Sequence, residues 1–226
     1  MTGRISMCGR FNYVISEGMV SLFDEFGVEV SGATRYNLAP TEQVPIIRQT
    51  NGKPQSLEAR WWLVPSWSDG PSSQFAMFNA RAETLASSRA FQEPFKHKRC
   101  LIPASSYIEW KSENGRKQAY EVFSDVPLLF AGMWDEWNGE ITSCAMITTQ
   151  ASEVLAPIHQ RMPVMLNSVK AKQWINMEIS SNDLKSWLQA DLDMPMYYHM
   201  IDNSIGNVHN KAKPTKMISN INMTLF

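Results

Sequence analysis

Residues 107–123, YIEWKSENGRKQAYEVF, carry the strongest signal for the fold. Asn114-Gly115 at their centre is a typical two-residue turn of a β-hairpin. Tyr107–Lys111 before this turn and Ala119–Phe123 after it have the composition of strands. Because side chains alternate between the two faces of a strand, Glu109 shares a face with the residues two before and two after it. For a strand taken by itself, the ordinary expectation is that such a glutamate faces solvent.

Further strands and helices are predicted on both sides of this hairpin. Apolar runs predict strands at Phe11–Ile15, Val44–Arg48, Leu57–Val64, Cys100–Ile102, Leu128–Met133 and Ser143–Thr148. Helical spacing and caps predict helices at Glu17–Phe26, Ala82–Phe91, Val169–Met177 and, capped by Ser181, at Asn182–Ala190. Residues 35–40 and 65–73 are expected to form loops, and the tail after Ile205 is polar.

The order of these elements predicts a single α+β domain over residues 7–226. No linker, repeat or charge block divides the chain. The predicted core is a curled, barrel-like sheet of antiparallel and mixed strands, with peripheral helices. Residues 1–6 are treated as a leader that lies outside this domain.

Composition narrows the possible functions. The chain has 226 residues, 44% hydrophobic and 19% charged, with a formal net charge of −1. This balance argues against a wholly basic nucleic-acid binder but permits a local basic groove. No apolar run approaches the ~20 residues of a membrane span, and residues 1–6 are too short and polar for a signal peptide. We therefore expect the protein in the cytoplasm, and on the nucleoid when it is bound to DNA. We also expect a monomer.

The cysteines give no sign of a disulfide framework or a metal site. Cys8, Cys100 and Cys144 are odd in number, widely spaced and outside any CxxC motif. Cys100 and Cys144 lie in apolar strands, where a buried structural thiol is the ordinary role. The sequence predicts no metal and no cofactor.

Cys8 is different because it directly follows Met7. If translation starts at Met7 and that methionine is removed, Cys8 carries a free α-amine beside its thiol. Such a 1,2-aminothiol condenses with an aldehyde and closes a five-membered thiazolidine. The amine titrates near pH 8 and the thiol near 8.5, so both groups have reactive fractions at neutral pH. Residues 1–6 would block this chemistry unless Met7 is the true start or the leader is cleaved.

Three further polar residues lie beside turns or strand ends in apolar surroundings. Asn79 opens the segment Asn79-Ala80-Arg81-Ala82-Glu83-Thr84, which is predicted to enter a helix and to hold an anion there. Glu109 interrupts a strand, and His159 follows Pro157-Ile158 in a loop. Taken singly, such a glutamate or histidine is more often structural or solvated than catalytic.

Taken together with Cys8, these residues fall in motifs that resemble one family. The motifs are Met7-Cys8-Gly9-Arg10-Phe11, Arg35-Tyr36-Asn37-Leu38-Ala39-Pro40, Trp62-Leu63-Val64-Pro65-Ser66-Trp67, Asn79-Ala80-Arg81-Ala82-Glu83-Thr84, Tyr107-Ile108-Glu109-Trp110 and Ile158-His159-Gln160-Arg161-Met162-Pro163. In this order they resemble the SRAP family, the SOS-response-associated peptidases that are now understood as abasic-site processing proteins. The match runs from Cys8 to about Asn210, which is nearly the whole chain.

The resemblance implies a covalent reaction with DNA. Cys8 would crosslink to the ring-opened aldehyde of an abasic site in single-stranded DNA and so shield the lesion. Glu109 would shuttle protons, given a suitably tuned pKa, and His159 would act as acid or base in Schiff-base formation, sugar opening or reversal. Asn79 would orient the amine or the sugar oxygens. The family also suggests lyase action and self-cleavage of the leader by a Cys–Glu–His site.

The same resemblance suggests which residues contact the DNA. Arginines are candidate phosphate ligands, and tryptophans are candidates for stacking on bases or wedging between them. The DNA-binding candidates are Arg10, Asn37, Trp67, Arg81, Arg89, Trp110 and Arg161.

Two other interpretations stay open at this point. A Met-Cys-Gly start also opens the N-terminal-nucleophile amidohydrolases, in which the free α-amine acts as the base. Alternatively, the arginines and tryptophans could serve a non-catalytic binder of single-stranded DNA, with steep salt dependence and no preference for a lesion.

Overall fold

The computed structural model describes residues 8–72, 77–113, 115–190 and 192–222, with no side-chain description for 218–222. The predicted leader 1–6, the candidate start Met7 and the turn residue Asn114 lie outside these residues. The strands are β1 (Arg10–Tyr13), β2 (Arg35–Leu38), β3 (Gln43–Thr50), β4 (Lys53–Trp61), β5 (Asn79–Arg81), β6 (Arg99–Glu113), β7 (Arg116–Trp137), β8 (Ile141–Gln150), β9 (Arg161–Pro163), β10 (Tyr197–Ile201) and β11 (Lys216–Asn222). The α-helices are α1 (Glu17–Glu25), α2 (Gln92–His97) and α3 (Ser168–Ile175).

The described strands form one eleven-stranded mixed sheet that closes on itself. The order is β11-β10-β7-β8-β4-β3-β6-β1-β2, and β6 also pairs with β7. Strands β7, β8, β4, β3 and β6 therefore form a closed ring. The β4–β8 and β5–β8 pairings are parallel, and the other pairings are antiparallel. The prediction of a barrel-like mixed sheet with peripheral helices is confirmed.

The hairpin of β6 and β7 is the longest pairing in the barrel. Glu113 pairs with Arg116, so the turn has the two-residue length that the sequence predicts. Gly115 has a φ of +76°, a conformation that glycine adopts without strain. Each strand is longer than predicted, because β6 joins the strands predicted at Cys100–Ile102 and Tyr107–Lys111, and β7 joins those predicted at Ala119–Phe123 and Leu128–Met133.

The prediction for α1 is confirmed. Ser16 caps its start, with its hydroxyl accepting a hydrogen bond from the Met19 N–H at 3.3 Å. Gly27 follows its end with a φ of +66°. The prediction for α3 is also confirmed, with Asn167 as the cap.

Three local predictions are wrong. Residues 35–38 form the edge strand β2 rather than a loop, because they pair with β1. Ala82–Phe91 contains only a short 3₁₀ turn at Ala82–Thr84. The Ser87 hydroxyl donates to the Thr84 carbonyl, which is the competition with helical bonding that serine often provides.

Asn182–Ala190 likewise holds only a 3₁₀ turn at Lys185–Trp187. Ser181 does not cap a helix there. Instead, the Asn182 N–H donates to the Ser180 hydroxyl at 3.2 Å, which favours a turn.

The core fills the barrel with aromatic and aliphatic side chains. Phe11 from β1 packs edge-to-face on Trp61 at 5.0 Å and on Phe130 at 6.2 Å between ring centroids. Cys100 and Cys144 are fully buried, as the sequence predicts. Within the described residues, no helix is long and apolar enough to cross a membrane.

Arg99 is the most unusual buried residue of this core. It is 0% exposed, and its guanidinium donates to the carbonyl oxygens of five described residues, Trp174, Phe95, Lys96, Asn176 and Ile179. Burial lowers the pKa of the guanidinium to about 10. Arg99 therefore ties the ends of α2 and α3 to the barrel.

We predict that Arg99→Met lowers the free energy of unfolding by about 3 kcal/mol or more, because it leaves several buried carbonyls without a donor. Urea denaturation followed by circular dichroism measures the change. Arg116→Met, at an exposed position, is the matched control and should change stability by no more than about 0.5 kcal/mol. Equal effects of the two substitutions would contradict a clamping role for Arg99.

Candidate active site

The site is assembled where the chain enters β1. Antiparallel pairing of β1 with β6 sets Arg10 opposite Ile108 and brings Cys8 beside Glu109, 101 positions away in sequence. The Cys8 backbone N–H donates to Glu109 Oε2 at 2.9 Å. Asn79 Nδ2 donates to the Cys8 carbonyl oxygen at 3.4 Å. Three of the four predicted catalytic residues therefore meet at the Cys8 backbone.

Glu109 is buried rather than facing solvent, because its face of β6 points into the barrel. It is 2% exposed, and its other carboxylate oxygen accepts from the Trp110 N–H at 3.1 Å. Burial raises the pKa of Glu109, and the nearby His159 and the bond from Cys8 partly oppose that rise. A carboxylate of this kind accepts protons more readily than an ordinary glutamate.

The Cys8 thiol is also buried, and its pKa is raised well above the ordinary value. Burial is the larger cause, and the negative charge of Glu109 is the next. Arg161 opposes the rise, and the thiol sulfur lies 3.9 Å from the Arg161 carbonyl oxygen. The thiol therefore stays protonated at neutral pH.

His159 completes the predicted set. Its Nδ1 accepts a hydrogen bond from the Arg161 N–H at 3.0 Å. The same Nδ1 lies 3.2 Å from the Arg161 carbonyl oxygen, so the Arg161 backbone offers this nitrogen both a donor and an acceptor. His159 is close enough to Glu109 for its charge to lower the pKa of that carboxyl. The side chain is half-buried, so it can exchange protons with a bound substrate.

Arg161 is held in place by two partners. Its guanidinium makes a bidentate ion pair with Glu83 and donates to the Thr148 carbonyl at 2.7 Å. The bond to Arg161 is the main reason that the pKa of Glu83 is lowered. Arg81 is exposed and precedes only a 3₁₀ turn, so the α-helix start that was predicted to hold an anion is not formed there.

Two hollows open on either side of Trp110. The first, here the histidine-side hollow, has a volume of about 630 Å³ and is lined in part by Arg81, His159 and Arg161. The second, here the tryptophan-side hollow, measures about 520 Å³ and is lined in part by Gly9 and Glu109. Trp110 and Lys117 line both hollows.

Four residues that were predicted to contact DNA make contacts within the protein. They are Trp67, Arg89, Asn37 and Arg10. Trp67 is 52% exposed, and the Arg89 guanidinium stacks over its ring at 4.0 Å. Asn37 is 0% exposed, and its amide donates to the carbonyls of Ile205, Asn207 and Asn210.

Arg10 donates to the Asn37 side chain and to the carbonyls of Ile205 and Gly206. Asn37 and Arg10 thus hold the loop at 205–210 against the site, and this structural role was missed by sequence reasoning. Their contact with DNA stays a prediction.

Sequence reasoning also missed Trp62 and Lys117, which line the hollows. Trp62 opens the motif at residues 62–67, in which the resemblance assigns a DNA contact to Trp67 alone. Lys117 follows the hairpin turn, and pairing across the turn would have placed it near Trp110. Among the described residues, no group of three or more His, Cys, Asp or Glu side chains could hold a metal ion.

Comparison with known proteins gives a consistent result. A model of the family described as "SOS response associated peptidase (SRAP)" matches residues 7–208. "Abasic site processing protein YoqW" of Bacillus subtilis is 33% identical over 87% of this chain and 91% of its own length. "Abasic site processing protein YedK" of Escherichia coli is 29% identical over 91% of this chain and 97% of its own length.

Solved structures share the fold. A crystal structure of a protein from Bacteroides thetaiotaomicron superposes with a TM-score of 0.73 at 22% identity, covering 90% of this chain and 100% of that chain. One from Bordetella bronchiseptica gives a TM-score of 0.74 at 20% identity, covering 86% of this chain and 100% of that one.

We predict that Glu109→Gln lowers the pKa of the Cys8 thiol, because it removes the negative charge that disfavours the thiolate. The thiolate is measured by its ultraviolet absorbance during a pH titration, after subtraction of the Cys8→Ala titration. Glu121→Gln, which changes a partly buried carboxyl of β7, should leave the Cys8 pKa unaltered. A Cys8 pKa that is the same in Glu109→Gln and wild type would contradict the assigned coupling.

Proposed function

The chain belongs to the SOS response associated peptidase (SRAP) family, and from this premise we propose that it captures abasic sites in single-stranded DNA covalently through Cys8. Relatives named as abasic site processing proteins support the choice of lesion. The observation that carries the proposal is the 2.9 Å bond between the Cys8 nitrogen and Glu109. Once Cys8 is the first residue, that nitrogen is an amine beside a general base.

The first covalent step joins the Cys8 amine to the open-chain aldehyde of the lesion. The nitrogen lone pair attacks the aldehyde carbon, and Glu109 accepts a proton from the nitrogen. Glu109 passes this proton to the alkoxide oxygen, which becomes a hydroxyl. The hydroxyl leaves as water with a proton from the protonated His159 ring, Glu109 accepts the second proton of the nitrogen, and an imine remains. Asn79 holds the Cys8 carbonyl, so the nitrogen keeps its direction toward the substrate.

The second step closes the ring. The Cys8 sulfur adds to the imine carbon and the thiol proton moves to the nitrogen, which gives a thiazolidine with no further loss of atoms. Because burial and Glu109 raise the pKa of the thiol, it is protonated while the amine reacts. This electrostatic arrangement supports the order amine first, sulfur second.

The proposal requires that Cys8 carry a free amine. A peptide nitrogen has no available lone pair, so the chain with residues 1–7 attached is expected to be inactive toward the aldehyde. The family match begins at Met7, which supports translation from that residue. Self-cleavage of a leader is the second route, and the contact between Glu109 and the peptide nitrogen of Cys8 favours it.

Charges around the site suit a DNA strand although the net charge of the chain is −1. Arg81, Lys111, Lys117 and Arg161 line the histidine-side hollow. Local cations of this kind bind phosphates and make affinity fall as salt rises. Trp110, between the two hollows, is placed to replace the missing base of the lesion.

The amidohydrolase alternative is weaker on electrostatic grounds. A cysteine hydrolase attacks its substrate with a thiolate. The surroundings of Cys8 raise the pKa of its thiol and so disfavour the thiolate. Release of ammonia from glutamine would decide for this alternative.

We predict that protein beginning at Cys8 forms a heat-stable adduct with single-stranded DNA that carries one abasic site. Denaturing gel electrophoresis and intact mass measure the adduct. Cys8→Ala and Cys8→Ser should form no heat-stable adduct. Both variants keep the amine but lack the sulfur, so each should form only an adduct that needs borohydride to persist. A heat-stable adduct with Cys8→Ala would refute the proposal.

We predict that Glu109→Gln slows crosslinking by about 100-fold, a typical contribution of a general base. In the wild type, Glu109 acts only when ionised, and its pKa is raised. The rate should therefore fall on acidification at a pH above the ordinary carboxyl value of about 4.3. In Glu109→Gln, the pH dependence of the crosslinking rate should reflect only the titration of the amine. In Glu121→Gln, the pH dependence of the rate should match that of the wild type. An unchanged acid limb in Glu109→Gln would return Glu109 to a structural role.

A further inference from the structure

The indole of Trp62 forms a fixed platform in the wall of the tryptophan-side hollow. Its Nε1–H donates to the Ser72 carbonyl at 3.1 Å. Its ring packs on Phe78 at 5.4 Å between centroids, with a 38° angle between the planes. The side chain remains partly exposed. A ring held from behind and open in front loses little freedom when another flat group stacks on it.

The rest of the hollow suits a flat apolar ligand with a charged edge. Its small and apolar lining includes Ala39, Pro40 and Val208. Arg10 and Lys117 supply positive charge at its border. The volume of about 520 Å³ lies within the range of small-molecule pockets. A nucleobase attached to a phosphodiester has this combination of an apolar face and a negative edge.

The hollow is also in the right place for a neighbour of the lesion. Gly9 directly follows the reactive Cys8, and Glu109 belongs to the same lining. On the other side, Cys8 contacts Arg161, which lines the histidine-side hollow. Cys8 therefore lies between the two hollows, and a strand crossing it extends into both.

We propose that the tryptophan-side hollow is a nucleobase pocket, in which Trp62 stacks on the base next to the abasic site. The inference rests on the proposed function for the identity of the strand, and it adds a specificity-determining residue to it. Only one neighbour of the lesion, 5′ or 3′, occupies this pocket. The histidine-side hollow is richer in cations and receives the backbone on the other side.

The first test measures crosslinking with three oligonucleotides and protein that begins at Cys8. Each carries one aldehydic site, and a tetrahydrofuran spacer replaces its 5′ neighbour, its 3′ neighbour or neither. Stacking of one base on an aromatic side chain typically changes affinity by about tenfold or more. We expect the rate at limiting DNA to fall about tenfold for one spacer position and to stay unchanged for the other.

Variants assign this dependence to Trp62. Trp62→Leu should react at the same low rate with all three oligonucleotides, whereas Trp62→Phe keeps a ring and should keep most of the dependence. Trp134→Leu is the control, because that indole lies against Arg48 on another part of the barrel. It should behave as wild type. If the wild type reacts at equal rates with all three oligonucleotides, the nucleobase pocket is contradicted. If the crosslinking rate of Trp62→Leu still depends on the base beside the lesion, the role of Trp62 is contradicted.

A second measurement needs no crosslink. A 2-aminopurine is placed beside an unreactive tetrahydrofuran lesion, and its fluorescence is followed as protein binds. Stacking on Trp62 should quench it in wild type and leave it bright in Trp62→Leu at saturation. If the 2-aminopurine fluorescence is quenched but no crosslink forms on the aldehydic strand, the pocket is supported and the proposed function is contradicted. If crosslinking occurs at the same rate on all three oligonucleotides and the fluorescence is not quenched, only the nucleobase pocket is contradicted.

Discussion

The hydrogen bond from the Cys8 nitrogen to Glu109 is the interaction on which the site depends. It exists because β1 joins β6 at the edge of the closed ring, with the carboxylate directed into the barrel. Burying a carboxylate is costly unless donors satisfy it, and the Cys8 and Trp110 N–H groups provide them. The backbone of Cys8 is thereby held by the residue that its proposed chemistry needs as a base.

The same contact links the remaining residues in one network. Asn79 comes from β5, which lies parallel to β8, and it reaches the Cys8 carbonyl. Arg161 comes from β9, which pairs with β8 on another edge, and its backbone contacts both the Cys8 sulfur and His159. Strand β8 thus fixes the positions of β5 and β9 relative to each other, and with them Asn79 and Arg161. Each of the four predicted catalytic residues lies in a strand or two residues before one.

The sequence was sufficient for the hairpin and for the barrel-like class, since alternation and the Asn114-Gly115 turn are local signals. It was insufficient for the orientation of Glu109, because alternation separates two faces of a strand but does not tell which one points inward. The wrong helix at Ala82–Phe91 has a local cause, since serine side chains there compete for backbone groups. The predicted catalytic residues could be identified because their motifs follow one another in the order of the family. The roles of Asn37 and Trp62, by contrast, depend on long-range contacts that no local pattern contains.

Burial gives the proposed reagent its selectivity. Thiolates are the forms of cysteine that oxidise and alkylate, and a raised pKa keeps Cys8 in the thiol form. Burial disfavours the charged form of either group, so it would favour the neutral, nucleophilic amine over the ammonium while it keeps the sulfur as a thiol. An aldehyde is the electrophile that such an amine captures reversibly, and ring closure by the sulfur then makes the capture durable. On this reasoning the same desolvation that protects Cys8 before it meets a lesion also determines which of its two nucleophiles reacts first.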